Sequence, residues 1–185
     1  ARPGPRSGLP DSCVLLFLSS GTTGSPKVIP LTRGQVEFGI RAWVDRWGFG
    51  PRTRCVMAAP YSHVVYLPLV LGTHLRGGTV VHAPKLVPRS VARTVEASRA
   101  TALMATPFLL RQWLDDPATR ERDVSGLDTL IFGAAPTPRD LLAALRVRFR
   151  GCRLFDCYGL TETASAVSCL GPEDLNAHAG SVGRP

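Results

Sequence analysis

Leu18-Ser19-Ser20-Gly21-Thr22-Thr23-Gly24-Ser25-Pro26-Lys27 closes the apolar run Val14–Leu18. Glycine can take positive φ and lets backbone N–H groups approach a ligand closely. The hydroxyls of Ser20, Thr22 and Thr23 add short donors, and Lys27 adds a mobile cation. These are the parts of a polyphosphate cradle. A polar surface loop is the bland alternative, and the order of residues argues against it. A Walker loop needs four residues between its glycines, then Gly-Lys-Ser/Thr entering a helix. Here Gly21 and Gly24 enclose two residues, Pro26 has no N–H, and Val28 cannot ligate a metal. Val28-Ile29-Pro30-Leu31 then reads as a second strand. The stretch is a strand–loop–strand flap, and its metal ligand must come from elsewhere.

With 185 residues, 44% of them hydrophobic, the chain suits one ordinary domain with a real core. No apolar run reaches membrane-span length, and the Arg/Pro-rich start lacks a signal-peptide core, which favours the cytoplasm. The five cysteines are scattered without a Cys-x-x-Cys pair and read as reduced, mostly buried thiols. The formal charge is +8, and only Lys27 and Lys85 among the cations are lysine. Such a balance suits an anionic cofactor or an acidic partner. No aromatic-interleaved basic stripe points to nucleic acid.

Residues 1–11 read as a linker or cut end, and 12–185 as one α/β subdomain. Cys13–Leu18 is expected as a buried strand. Thr32 with Gln35 forms a capping box for a helix whose buried side is Val36, Ile40, Trp43, Val44 and Trp47, ending at Gly48. Cys55–Ala59 is the next strand, Val65–Leu75 a helix despite Pro68, and Thr79–Val81 a short strand. A helix carries Val91 and Val95; Ala102–Ala105 is a strand. Thr106-Pro107 caps a helix that buries Phe108, Leu109 and Trp113, followed by a polar connection over 115–125. Leu127–Phe132 is a strand, Thr137-Pro138 repeats the cap, and Leu141, Leu142, Leu145 and Phe149 share a helix face. Cys152–Phe155 is the last clear strand. This alternation predicts a mainly parallel sheet flanked by crossover helices.

In such sheets ligands sit beyond the carboxyl ends of the strands. The stretches Ser19–Lys27, Tyr61–His63, Gly133–Pro136 and Tyr158–Glu162 each follow a strand and so gather on one edge. Gly133-Ala134-Ala135 leaves backbone bare for a flat base or sugar, or is simply a tight turn. Tyr158 offers a stacking ring and Gly159 room for a phosphate or sugar. Glu162 could hold Mg²⁺ and Thr161 donate to a phosphate oxygen; a solvent-facing loop acid is the alternative. Asp156 could accept from an exocyclic amine or serve a turn. His63 can enter a pocket or be a satisfied structural histidine. His74, His82 and His178 lack metal-ligand spacing.

The Ser19–Lys27 stretch and Tyr158-Gly159-Leu160-Thr161-Glu162, with Gly133-Ala134-Ala135-Pro136 between them, resemble the adenylate-forming superfamily. That superfamily comprises acyl- and aryl-CoA ligases, adenylation domains of peptide synthetases, and luciferases. The resemblance runs from Cys13 to Pro185 and implies an ATP site at the carboxyl ends of the strands. It implies attack of a carboxylate on the α-phosphate of ATP, giving an acyl-adenylate that passes to CoA or a carrier-protein phosphopantetheine. It further implies that Ser20, Gly21, Thr22, Thr23, Gly24 and Lys27 hold the β- and γ-phosphates. Tyr158 would stack on adenine beside Gly159, and Asp156 and the backbone of Gly133, Ala134 and Ala135 would frame it. Thr161 would touch the α-phosphate, Glu162 bind Mg²⁺, and His63 lie near the acyl carboxylate.

The chain departs from the family pattern at Val28, where glycine is usual, and at Arg33, where histidine is usual. Pro26-Lys27-Val28-Ile29-Pro30 resembles aryl-acid-activating members such as dihydroxybenzoate–AMP ligases. Those carry asparagine where Val64 stands and tend to lose the Tyr-Gly-x-Thr-Glu kept here. An aliphatic or aryl acid is therefore expected. The alternatives are an amino-acid adenylation domain, disfavoured by the lack of an aspartate near His63 to meet an amine, and a non-catalytic chain that binds nucleotide or a partner. The β subdomain with its ribose aspartate, and the C-terminal domain with the adenylation lysine, are not among these 185 residues.

Overall fold

The computed structural model describes residues 13–19, 26–175 and 177–185. The expected linker at 1–11 and Ser20, Gly21, Thr22, Thr23 and Gly24 of the phosphate loop lie outside the described residues. On either side of that loop, β1 (Cys13–Ser19) and β2 (Lys27–Thr32) form an antiparallel pair with Ser19 opposite Lys27. The two strands expected on either side of the loop are present. The expectation that the first strand is buried does not hold: Val14, Leu16 and Leu18 are exposed, Leu18 by 67%. Alternate residues of a strand face opposite ways, and only the Phe17 side meets the core.

Thr32 caps α1 (Arg33–Trp47) with the predicted capping box, and Gly48 ends it in the left-handed region. The main sheet runs in the order β4-β3-β5-β6-β7-β8. Its strands are β3 (Arg54–Ala58), β4 (Thr79–Val81), β5 (Ala102–Ala105), β6 (Thr129–Gly133), β7 (Arg153–Leu160) and β8 (Ser165–Leu170). All neighbours are parallel except β7 and β8. The central strands are apolar on both faces, as a sheet covered by crossover helices requires. Val56, Leu103, Leu130 and Leu154 point into one core, beneath α3 (Pro88–Ser98), α4 (Pro107–Asp115) and α6 (Arg139–Arg148). Cys55, Met104, Ile131 and Phe155 point into the other, beneath α1 and the segment after β3.

That segment begins as a π-helical turn, Leu67–Leu71, and continues as α2 (Gly72–Leu75), so it starts later than expected. Pro68 sits in its first turn, where no backbone N–H is needed. Phe108 is 71% exposed; Leu109, Leu110 and Trp113 form the buried side of α4 instead. The polar connection contains α5 (Pro117–Arg120), where the buried Thr119 hydroxyl lies 2.5 Å from the Trp113 carbonyl and the Thr119 carbonyl accepts from Trp113 Nε1. Thr137 does not cap α6, which starts after Pro138 without a side-chain cap. The last predicted strand extends five residues further, to Leu160, because β8 returns to pair with it. Local polarity hides a strand whose partner comes later in the chain.

Candidate functional site at the carboxyl edge of the sheet

β3, β5, β6 and β7 end on one edge. At β6, Gly133 is the last strand residue and Ala134 turns at φ 65°. A Cβ at Gly133 would stand 2.1 Å from the Cys157 carbonyl oxygen, so β6 and β7 touch backbone to backbone there. Ala134 and Ala135 are exposed past this point, leaving open backbone on the edge.

Asp156 lies on β7 opposite Phe132 and is half-buried. Burial pushes its carboxyl up to about 6, against an opposing interaction with the Thr137 side chain. The Thr137 hydroxyl falls outside hydrogen-bonding geometry and its buried oxygen has no partner. A carboxyl with so little protein support is available to an outside donor. Tyr158 is placed on β7 opposite Ser168 and not past a strand end, with its side chain 45% exposed. The ladder shifts register between Tyr158 and Gly159. Gly159 is required there, since a Cβ would meet the Ser165 carbonyl oxygen at 2.2 Å.

Thr161–Thr163 form a 3₁₀ turn between β7 and β8, closed by left-handed Ala164 at φ 58°. The Thr163 hydroxyl accepts from the Leu160 N–H at 3.0 Å and lies 2.8 and 2.7 Å from the Leu160 and Ser165 carbonyls, to one of which it donates. Thr161 is half-buried, and Glu162 is exposed with no ion pair among the described residues. The β1–β2 hairpin, a two-stranded sheet of its own, packs against this turn. From below, α1 holds the same region: Trp43 Nε1 donates to the Ala166 carbonyl at 2.9 Å.

His63 is exposed in the turn after β3; its N–H donates to the Pro60 carbonyl and its carbonyl accepts from Tyr66. β3 and β7 are three strand spacings apart, about 14 Å. The sheet thus places His63 at one end of the edge and Asp156–Glu162 at the other, with Gly133–Ala135 between. Beside His63, the Tyr61 hydroxyl hydrogen-bonds to the His82 ring, and Tyr66 meets Tyr61 edge-on at 5.3 Å.

Sequence reasoning missed three residues. Thr163 pins the turn; its one signal is a hydroxyl three positions after the strand end. Thr137 faces Asp156, and His82 supports Tyr61; neither has a local signal, since each pairing joins separate segments. No cluster of three His, Cys, Asp or Glu suited to a metal occurs among the described residues. A lone carboxylate nevertheless fits Mg²⁺, which binds through one or two carboxylates plus substrate phosphates. A cleft of about 690 Å³ lies elsewhere, between β4 and α3.

Residues 2–185 match the family described as AMP-binding enzyme. The chain is 35% identical over 179 residues to feruloyl-CoA synthase of an Amycolatopsis species, covering 96% of this chain and 36% of that protein. Among solved structures, it is similar to the inhibitor-bound N-terminal domain of FACL13 from Mycobacterium tuberculosis. That match has a TM-score of 0.86 at 27% identity and covers 96% of this chain and 44% of that one. It is also similar to O-succinylbenzoate coenzyme A synthetase from Bacillus subtilis in complex with ATP and magnesium ion. There the TM-score is 0.81 at 28% identity, over 92% of this chain and 35% of that one. The chain spans about a third of the length of the curated relatives it matches. No helix among the described residues is long and apolar enough to cross a membrane.

Proposed function

Because the chain belongs to the AMP-binding enzyme family, we propose that it is the ATP-binding part of a ligase that activates a carboxylic acid, aliphatic or aryl. A carboxylate oxygen attacks the α-phosphorus of ATP, the bond to pyrophosphate breaks, and an acyl-adenylate results. The acyl group then passes to a thiol, from CoA or a carrier-protein phosphopantetheine. The observation that carries this reading is the succession of Asp156, Tyr158, Thr161 and Glu162 along β7 and the turn after it, against which the β1–β2 hairpin packs. A relative that covers the same region is described in complex with ATP and magnesium ion.

In this reading Tyr158 stacks on adenine, Asp156 accepts from its exocyclic amine, and the Gly133–Ala135 backbone lies along the base. Ser20, Gly21, Thr22, Thr23, Gly24 and Lys27 hold the β- and γ-phosphates, and Thr161 donates to the α-phosphate. Glu162 holds Mg²⁺, which when bound neutralises the phosphate charge that grows as pyrophosphate leaves. His63, in the turn after β3, lies near the acyl carboxylate. The protein's contribution is positioning and charge stabilisation rather than a nucleophile of its own.

Titration of the chain with a fluorescent ATP analogue and Mg²⁺ tests the assignment. Tyr158→Ala and Glu162→Ala should each weaken binding at least tenfold, the second only when Mg²⁺ is present. Unchanged affinity in both variants would overturn the site.

A further inference from the structure

Cys157 on β7 and Cys169 on β8 are directly opposed in the antiparallel ladder, with their sulfurs 3.4 Å apart. Opposed residues in such a ladder have Cβ atoms about 4.5–5.5 Å apart, at the edge of the range a disulfide bridges. The other thiols sit apart: Cys13 on β1, Cys55 on β3, and Cys152 donating to the Leu127 carbonyl at 2.9 Å. We propose that Cys157 and Cys169 are a cross-strand dithiol that a peroxide oxidises to a disulfide, tightening β7 on β8 beside Asp156 and Tyr158.

The chemistry balances with one hydrogen peroxide. The Cys157 thiolate attacks a peroxide oxygen, the O–O bond breaks, and one water leaves after protonation. The Cys169 sulfur then attacks the sulfenic acid, the S–O bond breaks, and a second water leaves. Two thiols are oxidised and one peroxide is reduced. Cys157 is half-buried and reacts first; Cys169 is buried and resolves. The hydrogen bond to Cys169 and then burial hold the Cys157 thiol above its usual range, so the reaction is slow and speeds up as pH rises.

The surroundings turn the bond into a movement of backbone. The Cys157 carbonyl is wedged against Gly133. Cys169 exchanges backbone hydrogen bonds with Arg184, at 2.9 and 3.2 Å, and Gly183 lies over its carbonyl. Closing the sulfurs to about 2 Å between strands held this way pulls on the segment that carries Asp156 and Tyr158. That consequence rests on the nucleotide reading above.

The folded chain is treated with hydrogen peroxide, denatured, alkylated and weighed before and after dithiothreitol. Two of the five thiols should escape alkylation, in a crosslinked peptide pair containing Cys157 and Cys169, and return on reduction. Fluorescent ATP-analogue affinity should fall at least fivefold in the oxidised form. Cys169→Ser should bind nucleotide normally and lose the oxidant sensitivity. Five alkylated thiols, or a different pair, would overturn the proposal, and a disulfide with unchanged affinity would overturn its link to the site. A reduced chain that binds no nucleotide would refute the functional reading, while the masses still decide the pairing.

Discussion

At the residue scale, burial sets the protonation of the Asp156 carboxyl. Its raised value of about 6 means that folding favours the protonated form. Stability from this group is complete below the unfolded value near 4 and is lost as pH rises through about 6. Asp156→Asn should therefore stabilise the protein at pH 8, by about 1–2 kcal/mol after allowing for solvent at a half-buried site, and by nothing at pH 3.5. Urea midpoints at the two pH values check this. An amine that donates to the ionised carboxylate should also make ATP affinity fall as pH drops below about 6, and Asp156→Asn should flatten that profile.

At the scale of the element, backbone proximity decides which substitutions are tolerated. Gly133→Ala would drive a Cβ into the Cys157 carbonyl at the β6–β7 contact. It should cost about 1–3 kcal/mol or more and weaken nucleotide binding with it. Gly34 on α1 has open space around its Cβ position, so Gly34→Ala should stabilise by about 0.5–1 kcal/mol. Thermal unfolding of the two variants separates these outcomes. Equal effects would mean that helix propensity, not strand contact, governs both. The Thr161–Thr163 turn follows the same logic: Thr163 and left-handed Ala164 shape it, whereas Thr161 and Glu162 only occupy it.

At the scale of the whole molecule, one sheet serves two cores. Trp47 is buried in the core under α1 and Trp113 in the core under α4, and successive residues of β3, β5 and β6 alternate between them. Trp47→Ala and Trp113→Ala should each cost about 3–5 kcal/mol. Because the cores share strands, both variants should shift one common transition in guanidinium chloride, seen alike by circular dichroism and residual tryptophan fluorescence. Two separate transitions would show that the faces unfold independently.

Much of this architecture is legible in the chain itself. Thr32 with Gln35, Thr106 with Pro107, and the apolar spacing of α1 and α6 are local signals, and each formed the element it indicates. The parallel order followed from strands alternating with helices, since short links between parallel strands require crossovers. The residues proposed for the site stand out in the sequence where they are contiguous, as in Tyr158–Glu162. What is not legible is a partner that comes from another segment: Thr137 facing Asp156, His82 holding Tyr61, β8 extending β7. Thr137-Pro138 shows the limit from the other side, for the same cap-then-proline signal that works at Thr106 goes unused before α6. The sequence by itself determined the elements, the parallel sheet and the residue types offered to a nucleotide, because hydrophobic period, caps and glycines act over a few residues. Only the tertiary structure decided which side of each strand is covered, how Asp156 is desolvated, and that Cys157 faces Cys169. Those depend on what packs from elsewhere in the chain, and no local pattern encodes that.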